Sequence, residues 1–307
     1  MGDVPDDVKQ WASERDERRA ARDFAAADDL RERIRERGYD IEDTPRGPVI
    51  REARPAVRRI PPSKVESVLD QEPEFEVSVH WLVQGWPEDA VRGIQAFRRH
   101  HHGRSVQHVV VDAAGSDPGI WPDDAEVVPL DRDPGWGAGR NAGLKRAAGA
   151  VVVVMDSSVE PAGDVLTPLQ RVLSDPTVGV AGPVGVVSED LTQFHPSDGP
   201  EVDAIEGYLM AFRREVVARA GLFDEKFRFY RAADLELSFR VRDLGYRAVA
   251  VPVPIERHEH RIWSATPQQE RDRLSKRNYY RFLERWRGRL DLCSGGGSRG
   301  AAAPRTE

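Results

Sequence analysis

Cysteine is almost missing from this 307-residue chain: Cys293 is the only one. Neither a disulfide framework nor a cysteine metal cluster is therefore available. Its glycine- and serine-rich neighbourhood is no setting for a catalytic thiolate. Long apolar runs are missing too, none approaching the roughly 20 residues that cross a bilayer. Met1 to Asp40 is too charged for a secretory signal, so a cytoplasmic location is expected. Charge of one sign is also lacking: charged residues make up 32% against 39% hydrophobic, with a formal net charge of -7. That balance gives no global bias toward nucleic acid or an acidic membrane. The length predicts one large soluble domain with a smaller appendage.

What the chain does hold is concentrated between Val109 and Pro161: VVVDAAGSDP, then DPGWGAGRNAGLKRAAG, then AVVVVMDSSVEP. Unbroken β-branched runs suit parallel strands covered on both faces. Ligands of such sheets collect at the strands' carboxyl ends, where Asp112 and Asp156 fall. Between them Gly135, Gly137, Gly139 and Gly143 let backbone approach a ligand. Arg140, Asn141 and Lys145 supply donors to an anionic or hydroxyl-rich one, which fits a nucleotide with its phosphates.

Around this stretch the pattern is ordered. Residues 6–37 read as helix with a break near Arg22, an Asp23 cap and an end at Gly38. An extended piece, Tyr39 to Arg51, follows with a turn at Pro45 to Pro48, so 1–51 forms a small helical hairpin unit. Pro55, Pro61, Pro62 and Pro73 mark 52–74 as a linker with one short helix at Lys64 to Leu69. From Phe75 onward strands are predicted at 76–83, 106–112, 125–130, 150–156, 178–182 and 246–251. Helices are predicted at 87–101, 139–148, 164–173, 214–220, 233–244 and 268–286. The order implies an α/β fold over 75–290, a mixed, mostly parallel sheet flanked by helices. Val184 to Met210 is irregular and suits loops around an acceptor, and 291–307 has the composition of a disordered tail.

Several side chains carry candidate chemistry. Asp112 is placed to bind a nucleoside or to form the turn that follows it. Asp156 is placed to hold a divalent cation, Mg²⁺ or Mn²⁺, across two phosphates, or to cap the next segment. Ser158 adds a hydroxyl to that metal set. Asp234 and Glu236 open a helix, where one can act as general base or both can answer the helix dipole. His258 and His260 point to opposite faces if extended, so one reaches the site; His258 is assigned to the metal set. His100 to His102 read as a solvated helix end.

Taken in order, VVVDAAGSD, GWGAGRNAGLKRAAG, MDSSVEP, GYLMAFRREVVARAGLFDEKFRFY and ADLELSFRVRDLGYRAVAV resemble the family 2 glycosyltransferases of the GT-A fold. The resemblance covers about Phe75 to Leu292. It implies a nucleotide-sugar donor, a hydroxyl acceptor and inverting transfer. It also implies that Asp112, Gly137, Arg140, Asn141 and Asp156 bind substrate and that Asp234 is the base. Two positions depart from the pattern: the Asp-x-Asp motif is Asp156, Ser157, Ser158, and the acid before the base is Ala233. A non-catalytic, sugar-nucleotide-binding or RNA-associated adaptor is the alternative that these departures imply. Residues 8–51 resemble the C-terminal end of cysteinyl-tRNA synthetases, which implies docking of a protein or RNA. Met1 to Ile50 holds 10 Lys/Arg against 14 Asp/Glu, which favours a protein.

Overall fold

The computed structural model describes residues 4–44, 47–52, 57–197 and 199–294. The chain divides into two compact units, Met1–Arg58 and Arg59–Glu307. In the first, helices α1 (Asp6–Ala20) and α2 (Phe24–Glu36) form the expected hairpin. Asp23 caps α2 by accepting from the Ala26 N–H at 3.3 Å. The extended piece expected over 39–51, broken by a turn, is the antiparallel pair β1 (Tyr39–Thr44) and β2 (Gly47–Glu52). Pro45 and Arg46, in the expected turn, lie outside the described residues. Val8, Ala12, Ile34 and Ile41 make a small core, and the buried Arg15 is held by both Asp43 oxygens at 2.6 and 2.7 Å.

The second unit begins earlier than expected. Of the segment read as a linker, 59–74 packs on the sheet domain: Ile60 bridges Leu130, Val65 is buried, and Val68 N–H donates to Lys145 O at 2.8 Å. Apolar side chains interleaved with its prolines hold it there. The expected helix at 64–69 reduces to one 3₁₀ turn at Pro62–Lys64. The elements then run β3 (Phe75–Val83), α3 (Pro87–His100), β4 (Val106–Asp112), β5 (Ala125–Pro129), α4 (Trp136–Lys145) and β6 (Gly149–Met155). Next come β7 (Val159–Pro161), α5 (Leu166–Leu173), β8 (Val178–Gly182), β9 (Gly185–Val187), β10 (His195–Ser197), β11 (Glu201–Val202), β12 (Ala204–Ile205) and β13 (Leu209–Arg213). The chain closes with α6 (Arg214–Ala220), α7 (Ala233–Asp243), β14 (Arg247–Ala250), β15 (Ile255–Arg257), α8 (Arg261–Ala265) and α9 (Gln268–Trp286). Beyond Ser294 the expected tail lies outside the described residues.

An eight-stranded sheet, ordered β11-β14-β8-β13-β6-β3-β4-β5, forms the centre. The β4, β3 and β6 ladders are parallel, while β13 runs antiparallel between β6 and β8. Apolar clusters cover both faces, as the continuous β-branched runs required. Parallel β3, β4 and β6 bring Val83, Asp112 and Met155 to one sheet edge, with Asp156 one residue beyond. The irregular region forms a small sheet, β10-β9-β12, and β7 pairs with β15 in a separate ribbon.

The glycines of α4 serve packing. A Cβ on Gly139 would lie 2.7 Å from Leu82, and one on Gly143 would lie 2.1 Å from the buried His80 ring. His80 is enclosed in the sheet, so Gly143→Ala forces strand and helix apart. It is expected to destabilise the second unit by about 3 kcal/mol, the upper part of the usual overpacking range. Denaturant unfolding checks this through a lowered midpoint at an unchanged slope.

Candidate active site

Asp156 leaves the end of β6 and turns back at once: its Oδ1 accepts from the Ser158 N–H at 2.9 Å and from Ser158 Oγ at 2.6 Å. Beneath it lies Arg140, 1% exposed, projecting from α4. Its Nη1 donates to Met155 O at 3.0 Å, and Nη2 stands 3.6 Å from Asp156 Oδ2. Burial pulls this guanidinium down to about 10, so it remains a cation at neutral pH. The single acid of the Asp-Ser-Ser turn thus rests on a buried positive charge.

Across the site is His260, which caps α8 by accepting the Trp263 N–H on Nδ1 at 3.1 Å and stacks its ring near Tyr230 at 4.5 Å. Its Nε2 lies 3.8 Å from Asp156 Oδ2. His260, rather than the assigned His258, therefore faces Asp156. β15 turns His258 to the other side, with Nε2 3.6 Å from Glu160. Polar atoms of Glu160, Glu256 and His258 lie within 4.8 Å of one another, and Arg92 closes on Glu160 at 3.2 Å.

A carboxylate oxygen and an imidazole nitrogen facing one space fit a divalent cation, with the remaining positions left to a ligand's oxygens. Ser158 Oγ donates to Asp156 and so fixes that carboxylate. In this arrangement Nδ1 accepts a hydrogen bond, so holding a cation on Nε2 would require the ring proton on Nδ1 and the loss of the Trp263 contact.

Both Asp156 and His260 line a cavity of about 450 Å³ together with Glu206, Tyr230, Arg231 and Asp234. Asp234 opens α7. Gly207 N–H donates to its Oδ2 at 2.9 Å and Leu235 N–H to its Oδ1 at 2.9 Å, fixing the carboxylate. Burial raises its pKa above the usual carboxylate range, against the lowering effect of those bonds and of Arg231. The cavity continues past Phe194, Leu235, Lys276 and Tyr279.

Other candidates sit elsewhere. Glu236, 2% exposed, points away into a network with Arg240 at 3.0 Å and Arg285 at 2.8 Å, holding α7 to α9. Helical rotation separates it from Asp234, so it does not share the base's role. Asn141 exchanges two 2.9 Å bonds with the Phe223 backbone. A Cβ on Gly137 would meet Asp224 O at 2.8 Å, and the Trp136 and Gly137 N–H groups donate to Arg228 O and Phe227 O. The expected phosphate cradle is thus filled by the 223–228 loop, and neither Gly137 nor Asn141 lines the cavity. Asp112, 1% exposed, spends both oxygens on Ala114 N–H, Ser116 and Arg59. It shapes its turn, which is the alternative its sequence context left open.

Sequence reasoning missed Arg59, Glu206, Arg231 and Lys276. Arg59 was hidden in the presumed linker. Glu206, in Glu206-Gly207-Tyr208, falls in the stretch without periodicity.

Residues 108–235 match the family model described as Glycosyl transferase family 2. No curated protein matches the chain. Among solved structures, GalNAc-T7 with UDP, GalNAc and Mn²⁺ is similar at a TM-score of 0.57 and 17% identity, over 71% of this chain and 49% of that one. The chain thus spans about half of that structure's length. The mannosyltransferase PcManGT from Pyrobaculum calidifontis, with GDP-Man and Mn²⁺, has a TM-score of 0.49 and 24% identity over 62% of this chain and 57% of its own. S. aureus TarS 1-349 with UDP-GlcNAc has a TM-score of 0.49 and 16% identity over 68% of this chain and 67% of its own. Among the described residues no helix is long and apolar enough to cross a membrane. The sheet domain has the GT-A fold, and its residues 108–235 carry the pattern of glycosyl transferase family 2.

Proposed function

We infer that the second unit moves a sugar from a nucleoside diphosphate donor to a hydroxyl acceptor, with inversion at the sugar carbon. One observation carries this reading: Asp156 with His260, and Asp234 with its raised pKa, line a single cavity of about 450 Å³. The separation of roles follows from chemistry. Asp234, fixed by two backbone N–H groups, takes the proton of the acceptor hydroxyl as the new glycosidic bond forms. The bond from the sugar carbon to the diphosphate oxygen breaks, and its electron pair leaves with the diphosphate. Asp156 and His260 would hold a divalent cation, which when bound neutralises the leaving group's charge. Arg140 keeps Asp156 in place beneath it. Asp112 orders the 113–117 turn and so acts on the nucleoside end through shape rather than contact.

Ligand that binds only the folded state raises the melting temperature. In a panel of UDP-, GDP- and dTDP-sugars with Mn²⁺, one donor is expected to stabilise the protein by about 2.7 kcal/mol at 100 times its dissociation constant. The gain from Mn²⁺ is expected to vanish in His260→Ala and to persist in His258→Ala. No shift with any donor would remove the basis for transfer and favour docking without catalysis.

A further inference from the structure

Glu206 is the one acid on the cavity wall that has not been given a task. It follows β12 and precedes Gly207, whose N–H is bonded to Asp234, so the two carboxyl groups belong to one corner of the cavity. Among the described residues its carboxylate makes no hydrogen bond or ion pair, although it is half-buried. A half-buried carboxylate left without a partner costs free energy unless a proton or a ligand completes it. Asp234 differs, since each of its oxygens already accepts one backbone N–H, while the residue still lines the cavity.

We propose that Glu206 is a second substrate-contacting carboxylate of the transfer site, acting with Asp234 as a pair that holds one proton at rest. This rests on the sugar-transfer reading above. The protonated member donates a hydrogen bond to a sugar hydroxyl, and the ionised member receives the acceptor's proton. After transfer the pair holds two protons, and one returns to solvent with the product. Two like charges in a confined site resist ionising together, which makes a shared proton the lower-energy state.

The surrounding groups agree with this assignment. Arg231 precedes α7 and Arg257 comes from β15; both pull Glu206 toward ionisation. Burial and Asp234 act the other way and prevail, so Glu206 lies above the usual glutamate range. Lys276 enters from α9, and Asp156 and His260 line the same cavity. Tyr208 and Tyr230 also line the cavity, and burial raises the Tyr230 hydroxyl well above its ordinary value.

The test is a carbon-13 carboxyl titration of the full chain with no ligand, in wild type, Glu206→Gln and Asp234→Asn. Removing one acid is expected to lower the midpoint of the other by about one pH unit, reciprocally. A change under about 0.2 unit in both directions would overturn the pairing. Release of nucleoside diphosphate from UDP-, GDP- and dTDP-glucose then reads the role in transfer. Glu206→Gln is expected to lower kcat about tenfold and to move the acid limb of its pH profile downward. An unchanged profile would overturn substrate contact even where the titrations couple. Release from none of the donors would count against the transfer reading, while the titration still decides the pair.

Discussion

Asp234→Asn is expected to lower the rate of sugar transfer by about 10²- to 10⁴-fold, the usual contribution of a positioned general base. The amide keeps the size of the carboxylate but has one acceptor oxygen where two are used, so it retains one of the bonds from Gly207 N–H and Leu235 N–H and gives up the other, a cost of about 1 kcal/mol that leaves α7 folded. Donor binding, assigned to Asp156 and His260, should change by less than about threefold. The loss therefore falls on kcat, with the donor KM nearly constant. The wild-type pH profile carries the same signature. Burial raises the Asp234 carboxyl, and a base must be ionised to work. Activity is thus lost as pH falls through this raised value, at higher pH than an ordinary aspartate would give. Stability has the opposite sign for this group, because a proton bound more tightly in the folded state favours folding as pH falls. A melting temperature that rises slightly while activity declines on mild acidification would separate the two effects.

Arg140→Met should be the most damaging single change to stability around the site. The guanidinium is fully enclosed, donates to Met155 O, lies 3.3 Å from His80 O and faces Asp156 at 3.6 Å. It thereby ties the ends of β3 and β6 to the acidic turn. Methionine fills much of the volume but strands two carbonyls and an acid that remains only 16% exposed. Breaking a buried charge pair costs about 3 to 5 kcal/mol. Asp156 keeps some access to water, so about 3 kcal/mol is expected, equivalent to a fall of roughly 6 to 12 °C in a domain of this size. Arg140→Lys keeps the charge but loses the planar fork, and should recover only part of that loss. Equal melting temperatures for wild type and Arg140→Met would mean that the pair has no structural weight. The wild-type arrangement also explains how a turn with one acid, Asp156, can persist without the second carboxylate of an Asp-x-Asp motif.

The sheet was legible where local pattern and tertiary role coincide. VQHVVVD and AVVVVM are rich in valine, and each is a buried parallel strand, the second leading directly into Asp156 at the cavity. The α4 glycines were conspicuous for a different reason from the one inferred. A glycine that admits a ligand and one that admits a neighbouring strand look the same in sequence, and here Leu82, His80 and the 223–228 loop occupy the space. Asp234 was readable because a helix start fixes its position, whereas Glu236, two residues on, was turned inward by helical rotation. The choice between His258 and His260 depended on β15 pairing with β7, a contact across about a hundred residues that no local period encodes. Glu206 and Arg59 were invisible for the same reason: one lies in a short-strand region, the other in a proline-rich strap whose apolar residues are too sparse to show a period.

The most direct measurement is the release of nucleoside diphosphate from a panel of UDP-, GDP- and dTDP-sugars by wild type, Asp156→Ala and Asp234→Asn. Wild-type protein should turn over one donor class, with release falling at least about 100-fold in each variant while both remain folded. Equal release by all three proteins would contradict the assignment of this cavity as the site of transfer.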